Sequence, residues 1–225
     1  QIHGVLQYIM AFPSVYEMFT PLTTVRKQHF WEYFSGSATS ASTFEAQSRW
    51  TTSNITHTGT YAMVDEADEG FSILSSTNGA RSAIGFNNIR QFSPTASVAI
   101  FDLRRMTDAS HDSYAGFKFD DTNSTFLNTA VVSQASYATN IGLYTGDGST
   151  ATNLEGTTPR DTAWHNYKIE NGSANIKLSI DGVVDVTKTT NRPETSTKLQ
   201  PFVLNSTNTS ASKETRIKYF EAYNT

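Results

Sequence analysis

An all-β antiparallel sandwich of jelly-roll type is the fold this sequence predicts, and three observations lead to it. Thr162 to Lys188, TAWHNYKIENGSANIKLSIDGVVDVTK, repeats apolar residues with period 2 at Tyr167/Ile169, Ile176/Leu178/Ile180 and Val184/Val186, and Asn-Gly and Asp-Gly interrupt the runs where tight reversals are cheapest. The opposite face of this three-stranded meander carries Asn166, Lys168, Asn175, Lys177, Ser179 and Asp185, so it needs a second layer on one side only. From Ser35 onward no apolar helical stripe exceeds about two turns, and roughly a dozen short runs follow one another at close spacing.

In order along the chain, residues 1–28 differ from the rest. VLQYIMAF is broken by Pro13, and VYEMF by Pro21, without a sustained helix or strand period. This segment reads either as a leading strand and coil wrapped over the domain or as an arm packed on a neighbouring subunit, since Leu6, Tyr8, Ile9, Met10, Phe12, Met18 and Phe19 are costly to leave in water. His29 to Phe34 (HFWEYF) opens the sandwich with dense aromatic β propensity. Short strands are expected at Tyr61 to Val64, Gly70 to Ser75 and Arg81 to Phe86, with Asn78-Gly79 a tight turn. Longer strands follow at Ser97 to Arg105 and Tyr114 to Asp120, then Ser124 to Val132 and Ala138 to Tyr144, before a long Gly/Ser/Thr loop from Thr145 to Arg160. After the meander come Lys198 to Asn205 and the closing strand Thr215 to Tyr223. Pro201 places the first of these at an edge or a bulge, with its missing N–H facing outward.

Composition bounds the rest. At 225 residues the chain is long enough for one large sandwich, burying roughly 70% of the surface its unfolded form exposes. The net charge is −4 and the 17 Lys plus Arg are scattered, which gives no footprint for nucleic acid. With no Cys, neither disulfides nor thiolate metal sites exist. No run approaches the roughly 18 apolar residues a membrane helix needs. A start at Gln1 reads as a fragment or a processed product, so any targeting segment would already be gone.

Trp164, His165 and Tyr167, leading to Asp181-Gly182 and later to LQPFVLN and a closing Glu221-x-Tyr223, resemble the C-terminal half of concanavalin A-like and laminin-G-like jelly rolls. The resemblance spans residues 30–225 as architecture, and its motifs run from Trp164 to Tyr223. It implies a concanavalin A-like antiparallel β-sandwich over residues 29–225 with 1–28 as an N-terminal extension. Such domains serve as lectins, glycanases, adhesion modules and virion components, so the likeness specifies fold and leaves function open. FWEYF, GARSAIGFNNIRQF, YTGDGST, the WHNYKIE meander and KYFEAYNT together resemble uncharacterised proteins of marine bacteriophages and environmental viruses, whose sandwich domains decorate the particle.

The chemistry is sparse. The glycanase branch of that superfamily uses Glu-x-Asp-x-Glu on one strand, where period 2 puts the acids on one face. In Asp65-Glu66-Ala67-Asp68-Glu69 only Glu66 and Asp68 fit, and Gly70-Phe71 follow, so the cluster reads first as a solvated acidic turn. Asp120-Asp121 with Asn123 has the hard oxygen ligands a calcium ion takes, although Asx residues make turns unaided, and Asp108, His111 and Asp112 read the same way, as a polar loop. The five His have no zinc spacing, and His165 reads as a packed or edge residue. No GxSxG, GxxxxGK[ST] or GxGxxG occurs. For a saccharide, Tyr144 with Asp147, Asn153 and Arg160 offers a ring and polar partners, and the same segment serves equally as a plain surface loop. Asn54, Asn123, Asn171, Asn205 and Asn208 each begin an N-x-S/T sequon.

Taken with the viral likeness, these features lead to the expectation of a non-enzymatic structural protein of a virion or extracellular surface, a homo-oligomer or a partner of other virion proteins, with no required cofactor beyond the calcium alternative. A carbohydrate-binding, lectin-like adhesion module is the alternative expectation, and a glycoside hydrolase the third.

Overall fold

The computed structural model describes residues 28–225 apart from 35–39, 57–58, 64–69, 108–109 and 121–125. The strands are β1 (His29–Tyr33), β2 (Thr51–Thr56), β3 (Gly59–Met63), β4 (Phe71–Ser75), β5 (Arg81–Gly85), β6 (Ser97–Arg105), β7 (His111–Lys118), β8 (Thr129–Gln134), β9 (Asn140–Gly146), β10 (Ala151–Pro159), β11 (His165–Asn171), β12 (Ile176–Ile180), β13 (Val183–Lys188), β14 (Gln200–Thr207) and β15 (Lys213–Asn224). They form two antiparallel sheets. Sheet I has eight strands in the order β13-β12-β11-β6-β15-β4-β3, with β1 also paired to β15; sheet II has seven in the order β10-β9-β8-β7-β14-β5-β2. This is the concanavalin A-like sandwich expected from the sequence.

β11 and β12 form as their alternation dictates, whereas β13 departs from it: a register shift opposite Leu178 and Ser179 buries Val186 but turns Val184, expected on the same apolar face, out to 55% exposure, and Ser179, expected on the polar face, is buried. Tyr167, Ile169, Ile176, Leu178 and Ile180 are all buried between the sheets, while Lys177 is exposed and Lys168 pairs with Glu170 at 2.9 Å on the outer side. Asp181 (φ 50°) and Gly182 (φ 84°) make the tight turn that joins β12 to β13, both in the left-handed region that Asp and Gly tolerate best. Across the core Phe101 stacks on Tyr167 at 5.5 Å and on Phe220 at 5.2 Å, tying β6, β11 and β15 together.

Several expectations are corrected by the way the strands assemble. The stretch expected as one loop from Thr145 to Arg160 holds β10, an edge strand whose short polar residues give no apolar alternation to read. Pro201 is on β14, an interior strand between β7 and β5, and not at an edge. It is tolerated because the pairing of β14 with β5 stops at Phe202↔Gly85. Beyond that point Leu199 pairs with Phe92, and the Gln200 side-chain carbonyl accepts from the backbone N–H of Phe86 at 2.9 Å and of Asn88 at 3.1 Å. A short helix, α1 (Ala41–Gln47), was not signalled by any stripe; it follows Ser40 and puts Phe44 against Phe71 at 3.9 Å.

His111 and Asp112 are residues of β7 rather than of a polar loop. His111 is wholly buried in a polar layer at one end of the core, its Nε2 lying 2.6 Å from Asn205 Oδ1 and 3.1 Å from Thr215 Oγ1, its Nδ1 3.1 Å from the Thr107 carbonyl. Arg105 donates to the His111 carbonyl at 2.9 Å, and Gln134 donates to the Tyr167 hydroxyl at 2.5 Å. Burial drives the His111 pKa down to about 4, with the nearby Arg105 charge adding to the effect. Asn205 is fully buried in this layer and Asn171 nearly so, which keeps both sequons from glycosylation in the folded chain.

The proposed arm residues Leu6, Tyr8, Ile9, Met10, Phe12, Met18 and Phe19 lie outside the described residues, as do the acidic turn at 65–69 and two of the three calcium candidates, Asp121 and Asn123. The third, Asp120, gives its backbone carbonyl to the Lys118 ammonium. Among the described residues no group of three or more His, Asp or Glu is arranged to hold a metal ion, and no helix is long and apolar enough to cross a membrane.

Candidate carbohydrate-binding face

Strand pairing puts partnered residues on the same face of a sheet, so the outer surface of sheet II can be laid out from its register. One row across it is Gly85, Phe202, Gly116, Val131, Tyr144 and Asn153. The next is Ala83, Leu204, Tyr114, Ser133, Gly142 and Glu155. Inward-facing positions on the same strands (Ala115, Phe117, Ala130, Val132, Ile141, Leu143, Val203) belong to the main core. Ala83, Tyr114, Val131, Phe202 and Leu204, with Ala135 and Ala138, make a separate cluster on the outside, against which Phe126 and Tyr144 pack. The central strands β7, β8 and β14 are consequently buried on both faces.

The aromatic part of this face is compact. Phe126 sits 4.6 Å from Tyr114 and 5.1 Å from Tyr144, and the two tyrosines meet edge-on at 6.3 Å. Lys118, itself buried, holds its ammonium 4.9 Å from the Phe202 ring. Two glycines let neighbours lie flat on the sheet. A Cβ at Gly142 would come within 2.7 Å of Asn153 Oδ1, and one at Gly146 would strike the Phe126 carbonyl. Asn153 therefore folds its amide over Gly142 beside Tyr144, where its Oδ1 is buried with no hydrogen-bond partner among the described residues.

Polar groups surround the rings. Asp112 accepts from the Ser136 N–H at 2.5 Å and from Asn208 Nδ2 at 3.2 Å, and Glu155 accepts from the N–H groups of Thr139 and Asn140 at 3.1 Å each. Tyr137, in the β8–β9 turn, is 70% exposed. Its hydroxyl pKa is raised, first by partial burial and then by Tyr144, Asp112 and Glu155, so these groups sense one another. Tyr114 is shifted upward by burial first and then by Asp112, Tyr137 and Tyr144, and Arg81 opposes the shift. Both shifts keep the Tyr114 and Tyr137 hydroxyls neutral donors at physiological pH.

Of the four residues expected from sequence to touch a saccharide, the structure unites Tyr144 and Asn153 as direct partners in the β9–β10 register. Arg160 is close by but committed to the Ala135 carbonyl at 2.6 Å. Asp147 is elsewhere, in the exposed β9–β10 turn, where its Oδ1 accepts from the N–H groups of Thr150 and Ser149 at 2.7 Å each; these bonds lower its pKa and account for its presence. Tyr114, Phe126 and Tyr137 escaped the sequence reading. Only the pairing of β7, β8 and β9 brings Tyr114 to Tyr144, and the YAGF alternation on its own marks just one side of β7.

No family model and no curated protein sequence matches this chain. Solved structures do match it in fold. A Crh5 transglycosylase in complex with NAG superposes with a TM-score of 0.57 at 16% identity, over 87% of this chain and 84% of that one. A LamA variant from Zobellia galactanivorans, bound to laminaritriose and laminaritetraose, gives 0.53 at 11% identity over 86% and 97%. The carbohydrate binding module CBM66 from Bacillus subtilis gives 0.51 at 16% identity over 76% and 95%. At such identities the likeness establishes the sandwich alone. It also corrects the expectations of a non-enzymatic protein and of a virion or capsid-decorating component, because these three matching folds are those of carbohydrate-active and carbohydrate-binding proteins and bring no viral context.

Proposed function

We propose that this chain recognises carbohydrate, taking a saccharide outside the cell on the outer face of sheet II. The observation that carries the reading is the half-buried Tyr144 ring, clustered with Phe126 at 5.1 Å and in register with Asn153, near the 70% exposed Tyr137. The ring offers a flat surface for the C–H face of a sugar and the partly exposed Asn153 side chain beside it adds a polar partner, which is how pockets of this class fix a saccharide. Tyr137 extends the aromatic surface, and the exposed Glu155 provides a further hydroxyl partner beside it. A chain with only 17% charged residues and a neutral polar surface suits a neutral ligand.

Isothermal titration of the full chain with laminaritetraose and with an N-acetylglucosamine tetramer tests this, the two probes being taken from the sugars bound to the matching folds. Binding of at least one is expected, weakened tenfold or more by Tyr144→Ala and by Asn153→Ala. Titrations that both substitutions leave unchanged would overturn the assignment of this face.

A further inference from the structure

The opposite side of the sandwich carries a second constellation. β1 and β15 pair with His29 opposite Tyr223, Trp31 opposite Glu221 and Tyr33 opposite Tyr219. The intervening residues Phe30, Phe220 and Ala222 enter the core, so all six of these side chains share the outer face of sheet I. On the far side of β15, β6 brings Asp102 opposite Tyr219 and Ile100 opposite Glu221. Trp31 is 44% exposed and Tyr33 58%, uncommon for large aromatics on a sheet face that needs no further layer.

At the centre of these rings Glu221 is fixed in place. Its Oε1 lies 2.7 Å from His29 Nε2, and its Oε2 accepts the Tyr219 hydroxyl at 2.6 Å. Burial and the adjoining carboxylate raise the Tyr219 pKa, which keeps that hydroxyl a donor. Among the described residues each carboxylate oxygen has one partner, and it remains able to accept from a ligand, since the Glu221 side chain is 22% exposed. Tyr33 and Tyr219 lie with ring centroids 5.8 Å apart, His29 meets Tyr223 at 5.7 Å, and successive outward residues step about 6.7 Å along β1. Rings laid side by side around an anchored acceptor suit the alternation of C–H faces and hydroxyls along a saccharide chain. The Glu221 and Asp102 carboxylates would repel an anionic one.

We propose that this face is a second saccharide-binding surface, lying along β1 and β15 and taking a neutral, hydroxyl-rich glycan chain, with Trp31 and Tyr33 as the stacking platform and Glu221 as the hydroxyl acceptor. Both sheets separate it from the Tyr144 face, so the two surfaces load independently, and one polymer or two neighbouring chains can be held at once.

The test is affinity electrophoresis of the full chain in gels containing laminarin or glycol chitin, with sedimentation velocity run on every variant. Retardation of the native chain in at least one polymer is expected. Trp31→Ala with Tyr33→Ala should weaken it tenfold or more, and Glu221→Gln, which keeps the shape and removes the charge, several-fold, with circular dichroism unchanged. If Tyr144→Ala abolishes retardation and the Trp31 and Tyr33 changes leave it intact, this second surface is refuted and the first face stands. The reverse pattern supports it and refutes the first. Absence of retardation of the native chain overturns both. A shift from dimer to monomer on changing Trp31 and Tyr33, with retardation unaltered, would show that a second copy of the chain occupies the surface and overturn the proposal.

Discussion

The two outer faces of this sandwich follow different rules. On sheet I the strands alternate, burying Tyr167, Ile169, Phe220 and Ala222 and turning Lys168, Glu170, Glu221 and Tyr223 outward. On sheet II, β7, β8 and β14 are buried residue after residue, because an aromatic layer of Tyr114, Phe126, Phe202 and Tyr144 lies over them. An antiparallel sheet can leave one face to water, and sheet I does so. Sheet II has spent that freedom on a second, smaller cluster, and the groups best suited to grip a sugar are found at its margin.

The comparison is broken or sharpened first by truncation. Phe202→Ala removes a ring that is wholly buried on the outer face of sheet II and should cost about 3 to 5 kcal/mol in urea unfolding. Trp31→Ala removes a larger but half-exposed ring from sheet I and should cost under about 1 kcal/mol. Equal losses would mean that the two faces are not differently covered.

The polar layer between the sheets gives the next effect. His111 has its folded pKa depressed from 6.5 to about 4, so the unfolded chain takes up its proton first as acid is added. The neutral, buried His111 therefore contributes its full stability above about pH 6.5, and that contribution of about 3 kcal/mol is lost as pH falls toward 4. Urea midpoints measured from pH 7 to 4 should fall steeply in the native chain and less in His111→Gln. Parallel curves would count against the buried imidazole as the origin.

A smaller effect distinguishes crowding from backbone strain. Gly142→Ala would press a methyl against Asn153 Oδ1 at 2.7 Å and the Leu154 carbonyl at 2.9 Å, and should cost about 1 to 3 kcal/mol while displacing the amide from Tyr144. Gly182→Ala has open space around it and only the positive φ to oppose it, for about 1 kcal/mol. Reversed magnitudes would remove the reason for placing Asn153 over the sheet.

The same contrast explains what was legible in the sequence. β11 and β12 could be read to their register, and Asp181-Gly182 to its backbone conformation, because one face is wet and the local signals agree; β13 could not, since the register shift that turns Val184 outward leaves no mark in the Val184/Val186 alternation. β10 could not, since ATNLEGTTP sits at an edge and buries neither face cleanly. His111 and Asp112 looked like a loop because polar residues rarely fill a central strand, and here one faces an interior hydrogen-bonded layer and the other the outer surface. Tyr144 and Asn153 were visible as candidates, yet their meeting depends on the β9–β10 pairing, and Tyr114 joins them only through two further strand pairings. Non-local register is the part of a β fold that short-range pattern does not encode.

The most direct test of carbohydrate recognition on sheet II is amide chemical-shift mapping of the full chain titrated with laminaritetraose and with an N-acetylglucosamine tetramer. The account predicts that at least one of them shifts resonances of Tyr114, Ser133, Tyr137, Tyr144 and Asn153, while the buried meander residues Ile176 to Ile180 stay still. Saturating shifts confined to residues away from that face, or no shifts with either sugar, would contradict it.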